Sequence, residues 1–222
     1  MGETMKYLVT GFEPFGGNEV NASWEAVARL GSAIDELARE DEKDALAAAP
    51  SIVTARIPVE FGTTTDAVME LVAREQPDVV LLVGEYGGRP SVTPELVAIN
   101  HRYAHIPDNA GSCPRDERVV ADGPDAHFAT VPVYRMAQAS VAAGVDARVS
   151  YTAGTYICND VFYGVLHRVA SLDSVPAVGF IHVPWTPAEA TAAGTHKPSM
   201  SSEVAARSLA AMILDLEANG LE

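Results

Sequence analysis

The chain has 222 residues, of which 48% are hydrophobic and 20% charged, and its formal net charge is −15. This length and composition predict one α/β domain over residues 1–222 with a sizeable core. The negative charge disfavours nucleic acid and anionic membranes as partners, and the apolar runs are too short to span a bilayer. With two cysteines and no signal segment at the N-terminus, we predict a cytoplasmic protein with free thiols.

The predicted elements alternate between strands and helices in chain order. Strands are predicted over residues 6–10, 52–58, 78–84, 147–151 and 177–183, with a further extended segment over 92–100. Helices are predicted over 24–37, 63–75, 132–143 and 201–218, and one more begins after Thr155 and runs to residue 169. Residues 35–49, first acidic and then alanine-rich, are expected to form a solvated helix end and a variable connection, and residues 101–132 are expected to be turn-rich. This order predicts a three-layer α/β/α sandwich with a mostly parallel twisted sheet.

In a parallel sheet, ligand sites lie beyond the carboxyl ends of the strands. Four unusual segments follow predicted strands: residues 11–17, 85–89, 153–159 and the stretch from His182 onward. We therefore expect these four segments to meet at one edge of the sheet.

Cys158 follows a predicted strand and falls in the first turn of the next predicted helix, for which Thr155 is the expected N-cap. Unpaired N–H groups and the helix dipole at this position favour a thiolate, so the expected pKa is lowered and the sulfur can act as a nucleophile. The alternative is a small buried hydrophobic residue.

A cysteine nucleophile needs a base, and the base needs an orienting group. His182 ends the apolar strand VGFIHVP and can be that base, or a core histidine with both nitrogens satisfied. Glu95 lies in an apolar context and can be the orienting carboxylate. It can equally be one partner of an ion pair with Arg89, and both interpretations stay open. Since no His, Cys, Asp and Glu cluster has metal-ligand spacing, we predict no metal.

Four motifs in order carry a resemblance to a known family. They are TGFEPFGG with NASWEAV, then VGEYGGRPSVTPELVAIN, SYTAGTYICNDVFYG and GFIHVPWTP. Together they resemble pyroglutamyl peptidase I, the pyrrolidone-carboxylate peptidase family, from about residue 6 to the last helix.

The resemblance implies a thiol exopeptidase that removes N-terminal pyroglutamate from peptides through an acyl-enzyme. It implies that the catalytic triad is Glu95, Cys158 and His182, and that Phe12 and Phe15 help to form the lactam pocket. It also implies a cytosolic homotetramer without a cofactor. The segment around Arg89 is expected to supply a second donor to the oxyanion formed at the substrate carbonyl.

The chain departs from the family pattern at the expected substrate site. Glu85 stands where the family often has glutamine, and an ionised glutamate only accepts hydrogen bonds. Tyr86 follows where a small residue is usual, and Leu96 stands where arginine is usual. Two alternatives are a non-catalytic protein that binds a lactam or another small molecule, and a related amidase with altered acyl specificity. Cys113 matches no motif and is interpreted as an incidental thiol.

Acidic residues are spread along the chain, whereas lysine occurs only at positions 6, 43 and 197. This pattern is typical of proteins from a salt-loving cytoplasm, because molar salt shortens the screening length to about 3 Å. The alternative is an acidic enzyme that works at ordinary salt.

Overall fold

The computed structural model describes residues 4–40 and 50–221. The strands are β1 (Lys6–Phe12), β2 (Ser51–Ile57), β3 (Val79–Glu85), β4 (Thr93–Glu95), β5 (Val97–Ile99), β6 (Ala126–Phe128) and β7 (Ala177–Val183). The helices are α1 (Ala22–Val27), α2 (Leu30–Glu40), α3 (Thr63–Glu75), α4 (Val133–Ala142), α5 (Ile157–Val169), α6 (Pro187–Ala192) and α7 (Ser202–Asn219).

The main sheet has five strands in the order β2-β1-β3-β7-β4. The first four are parallel, and β4 is antiparallel to β7 at the edge. The sequence VVLLVGE of β3 is almost wholly buried, as expected for a central strand covered on both faces. A separate two-stranded ribbon is formed by β5 and β6. The mostly parallel sheet predicted from the sequence is confirmed.

Helices cover both faces of this sheet, which gives the predicted three layers. Alternate residues of each strand point to opposite faces, so β1 places Val9 in one core and Leu8 in the other. The first core packs α1, α2, α4 and α7 against the sheet, and the second packs α3 and α5.

Several predicted elements differ from those observed. Residues 147–151 make only isolated bridges to Val92 and Glu95, so the strand predicted there is wrong. The helix predicted over 24–37 is two helices, α1 and α2, separated by a short break. The extended segment over 92–100 is divided into β4 and β5, which belong to different sheets. The short helix α6 was not predicted.

The acidic and alanine-rich stretch predicted as a variable connection lies largely outside the described residues, which omit 41–49. Across the helices that are described, none combines the length and the apolar character needed to cross a bilayer.

Candidate active site

The carboxyl ends of β3 and β7 lie side by side, and this register places His182 next to Gly84. The antiparallel edge strand β4 pairs Glu95 with Phe180, two residues before His182. Residues two apart on a strand share a face, so Glu95 lies diagonally across from the imidazole. Strand order and register thus bring together two residues that are 87 positions apart in the chain.

Glu95 and His182 form a buried hydrogen-bonded pair. The Oε1 atom of Glu95 lies 2.7 Å from Nδ1 of His182, and the two side chains are 0% and 1% exposed. The same oxygen accepts a hydrogen bond from Arg89 Nη1 at 2.6 Å. Burial by itself would raise the pKa of Glu95, but hydrogen bonds from His182 and Ser150 and the charge of Arg89 lower it overall. Glu95 is therefore held as a carboxylate.

The imidazole of His182 is held neutral in the resting site. Removal from water lowers its pKa, and the hydrogen bond and charge of Glu95 only partly oppose this effect. Its ring lies between Phe180 and Tyr86, with ring centroids 4.8 Å and 5.2 Å away. With Nδ1 bonded to Glu95, the other ring nitrogen is the one available to exchange a proton.

Cys158 lies in the first turn of α5, as predicted, but the helix start differs from the prediction. The N-cap is Tyr156, whose side chain makes no capping hydrogen bond. The Thr155 hydroxyl donates instead to the Tyr103 carbonyl at 2.8 Å, so the predicted Thr155 cap is wrong. The first-turn N–H groups of α5 therefore have no side-chain cap in the structure.

Two buried side chains after Cys158 fix the start of α5. Asn159 accepts a hydrogen bond from the Ile99 N–H at 2.9 Å and donates to the Ile99 carbonyl at 2.8 Å. Asp160 accepts from the Gly62 N–H at 3.0 Å and forms an ion pair with Arg102. These contacts hold the cysteine turn in a defined position relative to β5.

The thiol of Cys158 packs against the end of β3. A Cβ added to Gly84 would approach Sγ to 3.0 Å, so only glycine leaves room for the sulfur there. Removal from water raises the pKa of Cys158 to about 12, and the charge of Glu95 acts in the same direction, as does that of Glu85 when it is ionised. The lowered pKa expected from the helix start is therefore wrong for the resting site, which pairs a thiol with a neutral imidazole.

Cys158 and His182 both line a cavity of about 460 Å³ at this edge of the sheet. Much of its wall is aromatic. The wall includes Phe12, Phe15, Tyr86, Tyr103, Tyr156 and Trp185. Such a cavity suits a small, largely neutral ligand fixed by a few polar groups.

One part of the cavity wall carries a carboxyl group. Glu85 accepts hydrogen bonds from the Ala22 N–H at 3.1 Å and from Trp185 Nε1 at 3.3 Å. Burial raises its pKa to about 8, and the hydrogen bond and charge of Glu189 add to the effect. Trp185 is held closely at this point, because its ring occupies the space that a Cβ on Gly87 would need.

The structure gathers most of the predicted site residues at the cavity. Phe12, Phe15, Glu85, Cys158 and His182 line it, and Glu95 supports His182 from behind.

Arg89 forms the ion pair with Glu95 that one of the two sequence interpretations allowed, and it is not among the residues that line the cavity. Its guanidinium forms an ion pair with Glu95 and donates a hydrogen bond to the Thr93 hydroxyl. It also stacks on the Tyr86 ring, with its central carbon 3.8 Å from the ring centre. It thus faces the carboxylate rather than the cavity wall.

Sequence reasoning missed Trp185, Tyr156 and Glu189. The signal for the first two was their position within the motifs around His182 and Cys158. Nothing in the sequence pattern indicated Glu189, because it lies on the unpredicted helix α6. Among the residues that the structure describes, no group of three His, Cys, Asp or Glu side chains could hold a metal ion.

Comparison with known proteins agrees with this geometry. The sequence model of the pyroglutamyl peptidase family matches residues 5–218. The chain is 41% identical to pyrrolidone-carboxylate peptidase from Thermococcus onnurineus over 209 residues, which is 94% of this chain and 97% of the relative. It is 43% identical to the enzyme of that name from Streptomyces coelicolor, over 94% of this chain and 90% of the relative.

Solved structures give the same result. The crystal structure of pyroglutamyl peptidase I from Bacillus amyloliquefaciens has a TM-score of 0.85 and 36% identity, with 96% of this chain and 94% of that chain covered. A mutant pyrrolidone carboxyl peptidase from Pyrococcus furiosus has a TM-score of 0.84 and 31% identity, with 98% and 100% covered. The chain therefore belongs to the pyroglutamyl peptidase family and is a peptidase of its type I class.

Proposed function

We propose that this peptidase removes an N-terminal pyroglutamyl residue from peptides through a Cys158–His182–Glu95 triad and an acyl-enzyme. The observation that carries the proposal is the 2.7 Å bond between Glu95 and His182, beside a cavity that Cys158 also lines. A nucleophile, a base and a group that orients the base are the three parts that such chemistry needs.

The first half-reaction begins from a neutral thiol. His182 takes the proton of Cys158 as Sγ attacks the pyroglutamyl carbonyl carbon, and Glu95 stabilises the imidazolium that forms. The backbone N–H of Cys158 donates to the oxyanion. The second donor is a backbone N–H of the segment around Arg89, since the Arg89 side chain is bound to Glu95. His182 then gives its proton to the leaving amine, the C–N bond breaks and a thioester remains on Cys158.

The second half-reaction uses the same groups in reverse order. His182 takes a proton from a water molecule, whose oxygen attacks the thioester carbonyl. The proton returns to the sulfur as the C–S bond breaks, and pyroglutamate leaves with a free carboxyl group. The aromatic side chains of Phe12 and Phe15 provide apolar walls for the lactam ring, which carries no charge.

Cysteine variants test this assignment directly. Cys158→Ala and Cys158→Ser are expected to reduce release of a chromophore from a pyroglutamyl amide by about three orders of magnitude or more. Cys113→Ser is the matched control, because Cys113 is the other free cysteine and its Sγ donates a hydrogen bond to the Ala104 carbonyl, away from His182 and Glu95. Unchanged turnover in Cys158→Ala would refute the triad.

Glu85 on the cavity wall also supports two alternative functions. One is a related amidase with altered acyl specificity, and the other is a protein that binds lactams without turnover. A carboxyl group recognises different partners from the glutamine that the family often has there. A panel of blocked aminoacyl amides separates the amidase from the first proposal. Calorimetry with pyroglutamate, showing binding without hydrolysis of any reporter, would favour the non-catalytic protein.

We also infer the cellular location, the salt requirement and the oligomeric state of the enzyme. A cytoplasmic, halophilic homotetramer remains the prediction, with peptides carrying N-terminal pyroglutamate as its partners. The net charge of −15 supports the salt requirement. Exposed aromatic residues support an association surface, because Phe128 is 65% exposed and the exposed hydroxyls of Tyr134 and Tyr151 lie 3.2 Å apart.

A further inference from the structure

Two carboxyl groups meet at a single backbone N–H in the wall of the cavity. The Ala22 N–H lies 3.1 Å from Oε2 of Glu85 and 3.1 Å from Oε1 of Glu189. Over residues 4–40 and 50–221, no Lys, Arg or His side chain forms an ion pair with either carboxyl group. The donors to the two carboxyl groups are all neutral, from Ala22, Trp185 and Thr186. Without a cation to offset their repulsion, the pair is most stable when it retains one proton.

The hydrogen bonds indicate which carboxyl carries the charge. Oε2 of Glu189 accepts two hydrogen bonds of 2.7 Å, from the backbone N–H and the hydroxyl of Thr186. The two hydrogen bonds that Glu85 accepts, from Ala22 and Trp185, are longer, at 3.1 Å and 3.3 Å. Short bonds from several donors stabilise a carboxylate, so this geometry favours Glu85 as the carboxyl group that keeps the proton.

The charge on Glu85 matters because Glu85 and Cys158 line the same cavity. A carboxylate at position 85 raises the pKa of the Cys158 thiol. The same charge opposes the thiolate and oxyanion that form during acyl transfer.

The other charged or titratable groups around this region are already engaged. Glu95, Arg89 and His182 form their own cluster on the β4 side. Tyr86 lies between that cluster and the cavity. Lys197 lies over the Trp185 ring, with its Nζ 5.9 Å from the ring centroid.

We propose that Glu85 and Glu189 form a proton-sharing pair that keeps Glu85 neutral, and that loss of this proton at alkaline pH adds a second negative charge which suppresses Cys158. The inference rests on the proposed role of Cys158 as the nucleophile. The raised pKa of Glu85, about 8 in the folded protein, agrees with the hydrogen-bond geometry. The pair thus sets an alkaline limit on the enzyme.

Alkylation of Cys158 tests the pair without any substrate. Intact protein is treated with iodoacetamide between pH 6.5 and 9.5, and the peptide that carries Cys158 is quantified by mass spectrometry. Glu85→Gln imitates the neutral carboxyl, so its rate should equal that of the wild type at pH 6.5 and exceed it by about three- to tenfold at pH 9. Glu25→Gln is the matched control, because Glu25 is also on the α1 side but pairs with Arg29.

The isosteric variant Glu189→Gln, at the other carboxyl group of the pair, should shift the pH dependence of alkylation in the opposite direction. In Glu189→Gln the carboxyl of Glu85 loses the charge that disfavours its ionisation, so suppression of Cys158 should begin at lower pH than in the wild type. A merely structural role would instead lower the alkylation rate at every pH. If Glu85→Gln failed to fold, the alkylation profile of Glu189→Gln would still test the pair, since an unchanged onset of suppression would contradict it.

Turnover adds a third readout. With a pyroglutamyl amide reporter, kcat/KM of the wild type should fall by about tenfold from pH 8 to pH 9.5, whereas Glu85→Gln should fall less than twofold. Identical pH dependence of alkylation in the wild type and Glu85→Gln would overturn the pair, whatever the turnover. The predicted alkylation pattern without cleavage of any pyroglutamyl reporter would support the pair and overturn the proposed function.

Discussion

The sulfur of Cys158 lies against the backbone of Gly84, at the end of the central strand β3. A Cβ at position 84 would come within 3.0 Å of Sγ and 2.7 Å of Cζ of Phe180. This close approach sets the position of the thiol beside His182, since Gly84 and His182 are partners in the β3–β7 register.

Gly84→Ala should therefore displace the sulfur and lower kcat by about 10²-fold, because small shifts of a reacting group are costly. Gly31→Ala is the matched control, since nothing lies within 4 Å of a Cβ at that exposed helical position. The control should retain activity and gain up to about 1 kcal/mol of stability. Equal activity in both variants, measured on a pyroglutamyl reporter, would show that this contact does not position the thiol.

Glu95→Gln should lower kcat by about 10²- to 10⁴-fold with little change in KM, because the carboxylate stabilises the imidazolium and is fully buried behind His182. Glu203→Gln is the control, as its side chain is 72% exposed in an ion pair with Arg29 and should matter little. Steady-state kinetics separate the two constants. A large rise in KM with normal kcat would instead place Glu95 in substrate binding.

The positions of the three proposed catalytic residues follow from the sequence because each one lies at or near a strand or helix end. Parallel strands align these ends, so Cys158 and His182 could be expected at one edge of the sheet. Glu95 could be named as a candidate from the sequence. Whether it would bind Arg89 or His182 depended on the antiparallel register of β4, which the sequence pattern does not give. In the structure, one oxygen of Glu95 bonds to both partners.

The protonation states in the site were harder to predict from the sequence than the residues that form it. A helix start favours a thiolate, yet burial and the carboxylate of Glu95 raise the pKa of Cys158, and Glu85 adds to this effect when it is ionised. These contributions come from residues that are distant in sequence, so local pattern cannot supply them. Glu189 was missed for the same reason, since it meets Glu85 at the Ala22 N–H only once α6 has folded against α1.

Glu85 also makes the stability of the fold depend on pH. Its pKa is about 8 in the folded protein against an ordinary value of 4.5, mainly because of burial. As pH rises from 4.5 towards 8, the unfolded chain releases this proton while the folded chain keeps it. The contribution of Glu85 to the free energy of unfolding therefore falls progressively as the pH rises over this range.

Urea unfolding of the wild type and Glu85→Gln should reveal this dependence. Relative to the variant, the wild type should lose on the order of 4 kcal/mol of unfolding free energy between pH 5 and pH 8.5. A difference between the two proteins that is constant with pH would mean that Glu85 ionises normally in the folded state.

The net charge of −15 predicts a second dependence on conditions. Lowering salt from molar to millimolar lengthens the range of charge repulsion from about 3 Å to 30 Å or more, so assembly and activity should decline. Surface ion pairs such as Arg207 with Glu40 strengthen at low salt, but exposed pairs of this kind contribute too little to offset the repulsion. Sedimentation and activity unchanged across this range would reject the halophilic interpretation.

Acid quenching during turnover of a pyroglutamyl amide tests the central claim most directly. Mass spectrometry of the quenched and digested enzyme should find one pyroglutamyl acyl group on the peptide that carries Cys158, and none in Cys158→Ala. An acyl group on a different residue, or normal turnover by Cys158→Ala, would contradict the account.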